Sequence, residues 1–200
     1  FCLWLDAHTD FHSLDSTDTG NLHGTPAAYV CGQAGFAGAF PTLPAQLDPA
    51  RLCMLGIRSV DDAELQWLKP LQTRLIDMKE LDRDGVHTAI APFLAAVQAA
   101  NGLLHLSFDV DCLDPAIAPG VGTAVERGVR LDQARALMTS LADSQLVSSV
   151  DIAELNPTID ASGQTASVMV DLMSRLFAAP ADGVTHSNTN AASKSVLCEA

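Results

Sequence analysis

The sequence predicts a three-layer α/β/α domain built on a mainly parallel β-sheet. Short apolar runs rich in strand-forming residues alternate with helical patterns along the chain, and this alternation is typical of parallel α/β folds. Acidic residues follow several of the apolar runs directly. Because α/β folds bind ligands at the carboxyl ends of their parallel strands, the same pattern also indicates where a site would lie.

The strand-like runs occur at regular intervals and are short enough to be buried strands. They cover residues 1–5, 51–57, 73–78, 103–108 and 146–150.

Helical patterns lie between these runs. Thr25 and Pro26 open a helix with proline at its first position, which its fixed φ favours. Asp61 caps a helix over 62–69, and Asp132 begins one that ends near residue 142. Apolar periodicity predicts two more helices, over 85–99 and 164–177. The last helix places four apolar side chains on one face: Met169, Leu172, Met173 and Leu176.

One domain is expected over residues 1–180, because no repeat or linker divides this part of the chain. After Pro180 the sequence becomes polar and loses its periodicity. We therefore expect residues 181–200 to be a mobile tail, with His186 exposed to solvent.

The composition restricts the partners and the compartment. A formal net charge of −13 argues against binding to a nucleic-acid backbone. No apolar run approaches the roughly 20 residues needed to span a bilayer, and no signal peptide with a basic start is present, so no membrane partner is expected. The 5 cysteines have irregular spacing without a CxxC motif, which indicates reduced thiols and a cytoplasmic protein.

The first strand ends in metal-ligand chemistry. Asp6, His8 and Asp10 occupy alternate positions after the apolar run FCLWL. In an extended segment such positions share a face, and a turn would also bring them together. Two carboxylates and an imidazole suit Mn, Fe, Co or Zn better than Ca or Mg, which prefer oxygen ligands only. The alternative is a polar loop in which the aspartates serve as caps.

The stretch LLHLSFDVDCLDP, residues 103–115, repeats this design and supplies Asp109 and Asp111. If both strand ends meet, five side chains converge, four of them acidic. One ion rarely needs so many carboxylates, whereas two ions bridged by carboxylates do. The alternatives are a calcium loop or a pair of solvated turns.

Three further polar stretches are candidates for substrate contact or catalysis. The loop over 16–26 would display Thr19, Asn21 and His23 beside the metals, and His23 is either a proton-transfer group or a solvated loop histidine.

Asp61 and Glu64 form either a helix cap with its reciprocal partner or a ligand contact. Asp151 and Glu154 follow the last strand, where two acids near a metal cluster suggest binding of a cationic substrate. A single acid there would be expected as a cap.

Taken in order, four motifs resemble those of the ureohydrolase superfamily, and most closely its arginase family, over residues 1 to about 177. They are DAHTD (6–10), GNLHG (20–24), SFDVDCLDP (107–115) and DIAELNP (151–157). The resemblance implies a parallel α/β/α hydrolase with two Mn²⁺ ions, active on L-arginine. It further implies attack by metal-bound hydroxide, release of urea and ornithine, and a trimer or hexamer of identical chains.

The resemblance also implies roles for single residues. Asp6 and Asp109 would bridge both ions, Asp10 would complete one site, and His8 and Asp111 the other. His23 matches a proton shuttle, and Glu154 matches the acid that pairs with the guanidinium; with Asp109 they form the implied catalytic set. The implied substrate contacts are His12, Thr19, Asn21, Asp61, Glu64, Thr123 and Glu154.

Two departures from the family pattern bear on these expectations. His12 stands where arginases usually carry an Asn that contacts the substrate α-carboxylate. The family's first metal ligand, a His in a GGDHS-like motif upstream of DAHTD, has no counterpart here, so we expect a chain truncated at its N-terminus that lacks the first strands of the family fold. Two alternatives stay open: an agmatinase or other guanidino-acid hydrolase, and a catalytically dead remnant.

Overall fold

A computed structural model describes residues 1–178, and its centre is a sheet of 5 strands in the order β3-β2-β1-β4-β5. All neighbouring pairs are parallel. The strands are β1 (Cys2–Leu5), β2 (Leu52–Ile57), β3 (Arg74–Asp77), β4 (Leu104–Asp109) and β5 (Val147–Ala153). Each of the predicted strands is therefore confirmed, with shifts of one to three residues at some ends. The predicted tail over 181–200, with His186, lies outside the described residues.

Four α-helices lie between the strands, and a fifth follows β5. They are α1 (Pro26–Val30), α2 (Asp62–Leu68), α3 (Met78–Ala99), α4 (Leu131–Ser144) and α5 (Gln164–Leu176).

The starts of α3 and α4 correct the sequence prediction. Helix α3 begins at Met78 rather than at 85, because the Asp77 side chain accepts a hydrogen bond from the Glu80 backbone N–H (2.8 Å) and caps the helix. Gly85, at φ 77°, breaks the helix inside, so the predicted 85–99 is its second half. Helix α4 begins one residue early, at Leu131, with Arg130 at the N-cap.

Alternate strand residues face two separate cores, which makes three layers. Leu3, Leu106 and Phe108 pack against α3, α4 and α5. Cys2 and Met54 lie on the opposite face, with α1 and α2. The predicted three-layer α/β/α architecture is thus confirmed. The predicted apolar face of α5 is confirmed as well: Met169, Leu172 and Leu176 are buried and Met173 packs beside them.

The three central strands end together, and this brings the acidic motifs to one edge of the sheet. Leu5 of β1 pairs with Leu55 of β2 and with Phe108 of β4. The backbone of β2 passes so close to β1 that a Cβ at Gly56, where φ is +95°, would lie 3.0 Å from the Asp6 carbonyl oxygen. Only glycine fits there without strain.

Among residues 1–178, no helix is long and apolar enough to cross a membrane. The described cysteines are all buried free thiols, in agreement with the predicted reduced state. They are Cys2, Cys31, Cys53 and Cys112. Cys198 lies outside the described residues.

Candidate active site

A cavity of ≈ 260 Å³ opens at the carboxyl edge of the sheet. The site residues that the resemblance implied all line it: Asp6, His8, Asp10, His12, Thr19, Asn21, His23, Asp61, Glu64, Asp109, Asp111, Thr123 and Glu154. Asp151, the other acid considered for substrate binding, does not line the cavity; it lies within β5, where its carboxylate is 3.3 Å from His105 Nε2. Four further lining residues were not predicted: Thr17, Asp18, Gly24 and Ser59.

The deepest part of the cavity is a cluster of metal-ligand side chains. One ligand atom each from Asp6, His8 and Asp111 lies within 4.8 Å of the others. His8 Nδ1 is 3.1 Å from Asp111 Oδ2 and 3.3 Å from Asp6 Oδ1. His8 extends the pairing of β1 through a bridge to Ser59, whereas the chain turns at Asp10, where φ is 50°. Asp10 and Asp109 line the cavity but do not belong to this close group of three.

Backbone and indole N–H groups hold these carboxylates in place. Asp6 accepts from the His8 backbone N–H (2.7 Å) and from Trp4 Nε1 (2.9 Å). Asp111 accepts from the Ala7 N–H (3.1 Å), and Asp109 accepts from the Asp111 N–H (2.8 Å). The two strand ends are therefore joined directly through their acidic side chains.

Burial and mutual repulsion shift the pKa values of the acidic side chains strongly. Burial, reinforced by the charges of Asp6 and Asp109, raises the pKa of Asp10 to about 9. Burial also raises the pKa of Asp109 to about 9, with the charges of Asp6 and Asp111 adding to the effect. Burial alone would lower the pKa of His8, but hydrogen bonds to Asp111 and Asp6 outweigh it and raise the value to about 10.

This charge distribution fits a divalent cation. Four carboxylates and one imidazole form a borderline donor set, of the kind that binds Mn, Fe, Co or Zn. A bound dication would replace protons as the compensating charge, and would favour the ionised carboxylates. The residues present therefore suit a metal centre.

A second polar network lies on the wall of the cavity. The His12 ring is almost fully buried, with Nε2 3.1 Å from Asp61 Oδ2 and Nδ1 3.2 Å from Ser16 Oγ. Glu64 is also buried, and its two oxygens accept from the backbone N–H groups of Phe11 and Asp61, each at 2.9 Å. The helix-cap interpretation of Asp61 and Glu64 is thus confirmed. Both acids also line the cavity.

The loop before α1 is exposed at Thr19, Asn21 and His23. His23 lies in a 3₁₀ turn, Leu22–Gly24. The backbone N–H of His12 donates to the Gly24 carbonyl (3.1 Å), which ties this loop to the first acidic motif.

Glu154, just past the end of β5, has an unusual backbone. Its φ of 64° lies in the left-handed region, which a residue other than glycine adopts only at some cost. Its carboxylate makes no hydrogen bond within residues 1–178, and the residue is exposed to the cavity. Strain in an unpaired acid at a cavity wall points to function rather than to stability.

Sequence reasoning assigned no role to Arg58 or Trp4. Trp4 contacts the acidic cluster directly, as described above. The side chain of Arg58 donates hydrogen bonds to backbone carbonyl groups, among them those of Asp111 and Val125. An arginine directly after a buried strand, in GIRSVDDAE, was the available signal for Arg58.

Comparison with known proteins assigns the chain to a family. The model of the arginase family matches residues 1–178. The chain is 55% identical over 177 residues to an arginase of Brucella melitensis, covering 88% of the chain and 58% of the relative.

Comparison with solved structures leads to the same family. The native arginase of Bacillus caldovelox at pH 5.6 matches with a TM-score of 0.80 and 33% identity, over 88% of the chain and 59% of that protein. An arginase of Entamoeba histolytica, solved in complex with L-ornithine, matches with a TM-score of 0.76 and 28% identity, over 88% and 59% respectively. The chain thus spans between 58% and 59% of the length of these relatives. Since the family model matches all of the described residues, the chain belongs to the arginase family.

Proposed function

We propose that this protein hydrolyses the guanidinium group of L-arginine to urea and L-ornithine with two bound Mn²⁺ ions. The observation that carries the proposal is the meeting of two acidic strand ends in one cavity, with His8 3.1 Å from Asp111. Family membership and the similarity to an arginase solved with L-ornithine support the choice of reaction.

In this proposal five side chains hold the ions. Asp6 and Asp109 would be shared by the two ions, Asp10 would belong to one site, and His8 and Asp111 would belong to the other. The hydrogen bonds to Asp6, Asp109 and Asp111 fix the carboxylates in advance, which reduces the reorganisation that binding requires. Bound divalent ions supply a Lewis acid that brings the pKa of a coordinated water near neutrality.

The remaining side chains bind and orient the substrate. Glu154 has a free carboxylate at the cavity wall and pairs with the guanidinium. Asp61 accepts from the α-amino group, while His12, Thr19, Asn21 and Thr123 surround the α-carboxylate end. Glu64 contributes by holding the backbone of Asp61, because both of its oxygens are already occupied.

His23 is the proposed proton-transfer group. Its place in an exposed turn beside the cavity lets the imidazole reach solvent and the leaving amine alternately. Protonation of the amine allows the tetrahedral intermediate to collapse, and histidine is the side chain that most often serves as the general acid in such a step.

An agmatinase or other guanidino-acid hydrolase is the alternative. The observation that favours it is the His12 ring, which is engaged with Asp61 and Ser16 where arginases usually carry an Asn. Such a ring would narrow the space for an α-carboxylate. A homo-oligomer, either a trimer or a hexamer, and a cytoplasmic location belong to the same proposal.

The test is an assay of the protein as its gene encodes it, loaded with Mn²⁺. Urea and ornithine should appear in equal amounts from L-arginine, with agmatine and 4-guanidinobutyrate turned over more slowly. Glu154→Gln keeps the shape of the side chain and removes its charge, so it tests whether the charge of Glu154 is needed for activity. Urea release from agmatine in preference to arginine would transfer the assignment to the alternative, and a metal-loaded protein inactive on all three would contradict the proposal.

A further inference from the structure

Arg58, the first residue after β2, contacts six backbone carbonyl groups through its side chain. The acceptors are the carbonyl oxygens of Gly56, Asp111, Cys112, Leu113, Val125 and Glu126. Among the described residues, no carboxylate lies within ion-pair distance of this guanidinium. The charge of Arg58 is therefore directed entirely at main-chain oxygens.

Apart from Gly56, which lies within β2, these acceptors belong to two segments that are far from Arg58 in sequence. One is the 3₁₀ turn Val110–Cys112, which carries Asp111 into the metal-ligand cluster. The other is the loop 122–127, which carries Thr123 to the cavity. A single nitrogen, Arg58 Nη2, donates to both, at 2.7 Å to the Asp111 carbonyl and 2.7 Å to the Val125 carbonyl.

The backbone of Arg58 reaches a third segment. Its N–H donates to the Ala7 carbonyl at 2.9 Å, between the candidate ligands Asp6 and His8. Arg58 is thus in direct contact with both metal-ligand motifs and with the loop that bears Thr123. A planar guanidinium holds its donors in fixed directions, so a displacement of one acceptor group strains the hydrogen bonds to the others.

The loop also borders the candidate guanidinium site. A Cβ placed on Gly122 would lie 3.5 Å from Glu154 Oε2, in ordinary van der Waals contact. The position of loop 122–127 consequently sets the space around the Glu154 carboxylate as well as the place of Thr123.

We propose that Arg58 is a positioning residue that couples the metal-ligand turn to loop 122–127, so that divalent ions bound at Asp111 order the loop at the substrate end of the cavity. The inference rests on the metal centre of the proposed function. Ions that fix the Asp111 carboxylate also fix its carbonyl, and Arg58 transmits this order to Val125.

Hydrogen exchange followed by mass spectrometry tests the coupling without an activity measurement. In the parent protein, saturating Mn²⁺ should slow amide exchange in 122–127 by on the order of tenfold, with the same midpoint as metal binding measured by calorimetry. Arg58→Lys should lose most of this protection, since one ammonium group with three donors does not span six carbonyls. Arg51→Lys, at an exposed position outside the cavity, is the matched control and should behave as the parent.

Each other outcome counts against the coupling. Equal protection of 122–127 in Arg58→Lys would show that another contact carries it. A Mn²⁺ effect of equal size in α4 would show general tightening of the fold. If Arg58→Lys does not fold, the Mn²⁺ titration of the parent protein is the test. The inference is then wrong if amide exchange in 122–127 does not change when the metal binds. Metal binding without loop protection rejects the coupling alone, whereas absence of metal binding rejects the proposed metal centre too.

Discussion

Replacing Glu154 by glycine should make the protein more stable and much less active. Glu154 holds a φ of 64° at the cavity wall, and its carboxylate has no hydrogen-bond partner within residues 1–178. The side chain is exposed, so its removal takes away no packed contact. What the substitution changes in the folded state is mainly the backbone strain.

The size of the effect follows from two opposing contributions. A left-handed conformation costs an L-residue roughly 1–2 kcal/mol, which glycine avoids. Glycine in turn loses more backbone entropy on folding, worth roughly 0.5–1 kcal/mol. Taking the middle of each range, the free energy of unfolding should rise by about 0.5–1 kcal/mol. For a chain of this length that corresponds to an increase of about 1–4 °C in the melting temperature.

Activity should change in the opposite direction. A hydrogen bond to a charged group contributes about 1.5–3 kcal/mol, so loss of the guanidinium partner should lower kcat/KM by on the order of 10- to 10²-fold. Glu154→Ala is the matched control, because it removes the carboxylate and keeps the strained φ. It should lose the same activity without gaining stability.

Thermal melting of the metal-free proteins and urea release by the Mn²⁺-loaded proteins give the two readouts. Equal stability of the glycine and alanine variants would refute the strain argument. Full activity in either variant would refute the role of Glu154 in binding the guanidinium.

Three other predictions concern separate parts of the cavity. His23→Ala should lower kcat by about 10²–10⁴-fold, the range of general acid–base groups, with metal content unchanged by elemental analysis; an unaltered rate would make His23 a solvated loop residue. Asp61→Ala should impair turnover of arginine far more than that of agmatine in parallel urea assays, and equal losses on both would remove Asp61 from the α-amino contact. The metal-free protein should lose stability as the pH rises from about 4 towards 9, because Asp10 and Asp109 have folded pKa values near 9, above the unfolded value of 3.8. Melting curves in EDTA and in Mn²⁺ measure this, and a metal-free protein that becomes more stable between pH 6 and pH 9 would contradict it.

The sheet and the acidic residues at its edge could be predicted from the sequence, for a local reason. Short apolar runs mark strands that are buried on both faces, and acids directly after such runs must lie at strand ends. Asp6 and Asp109 could therefore be assigned to strand ends before their pairing was known. That β1 and β4 are neighbours depends on long-range contacts. From the residues alone, the meeting of the two strand ends was a hypothesis based on where α/β folds bind ligands, and the family resemblance then supported it.

Other features depend on tertiary structure and left weaker signals. The start of α3 was missed because capping by Asp77 extends the helix across a break at Gly85, where a periodicity argument expects a boundary. The contacts of Arg58 are made to main-chain carbonyls of distant segments, which no side-chain motif records. The left-handed backbone of Glu154 is likewise invisible in sequence, since only a glycine there would have signalled it.

The central claim is that the ends of β1 and β4 form one centre for two divalent ions, and a metal count tests it most directly. The protein is dialysed against Mn²⁺, and its manganese content is measured by elemental mass spectrometry. It should contain two ions per chain. Asp109→Ala should lose both, because Asp109 is proposed to bridge them, whereas Asp143→Ala, an exposed acid on α4, should keep two. One ion per chain in the parent, or two ions retained without Asp109, would contradict the account.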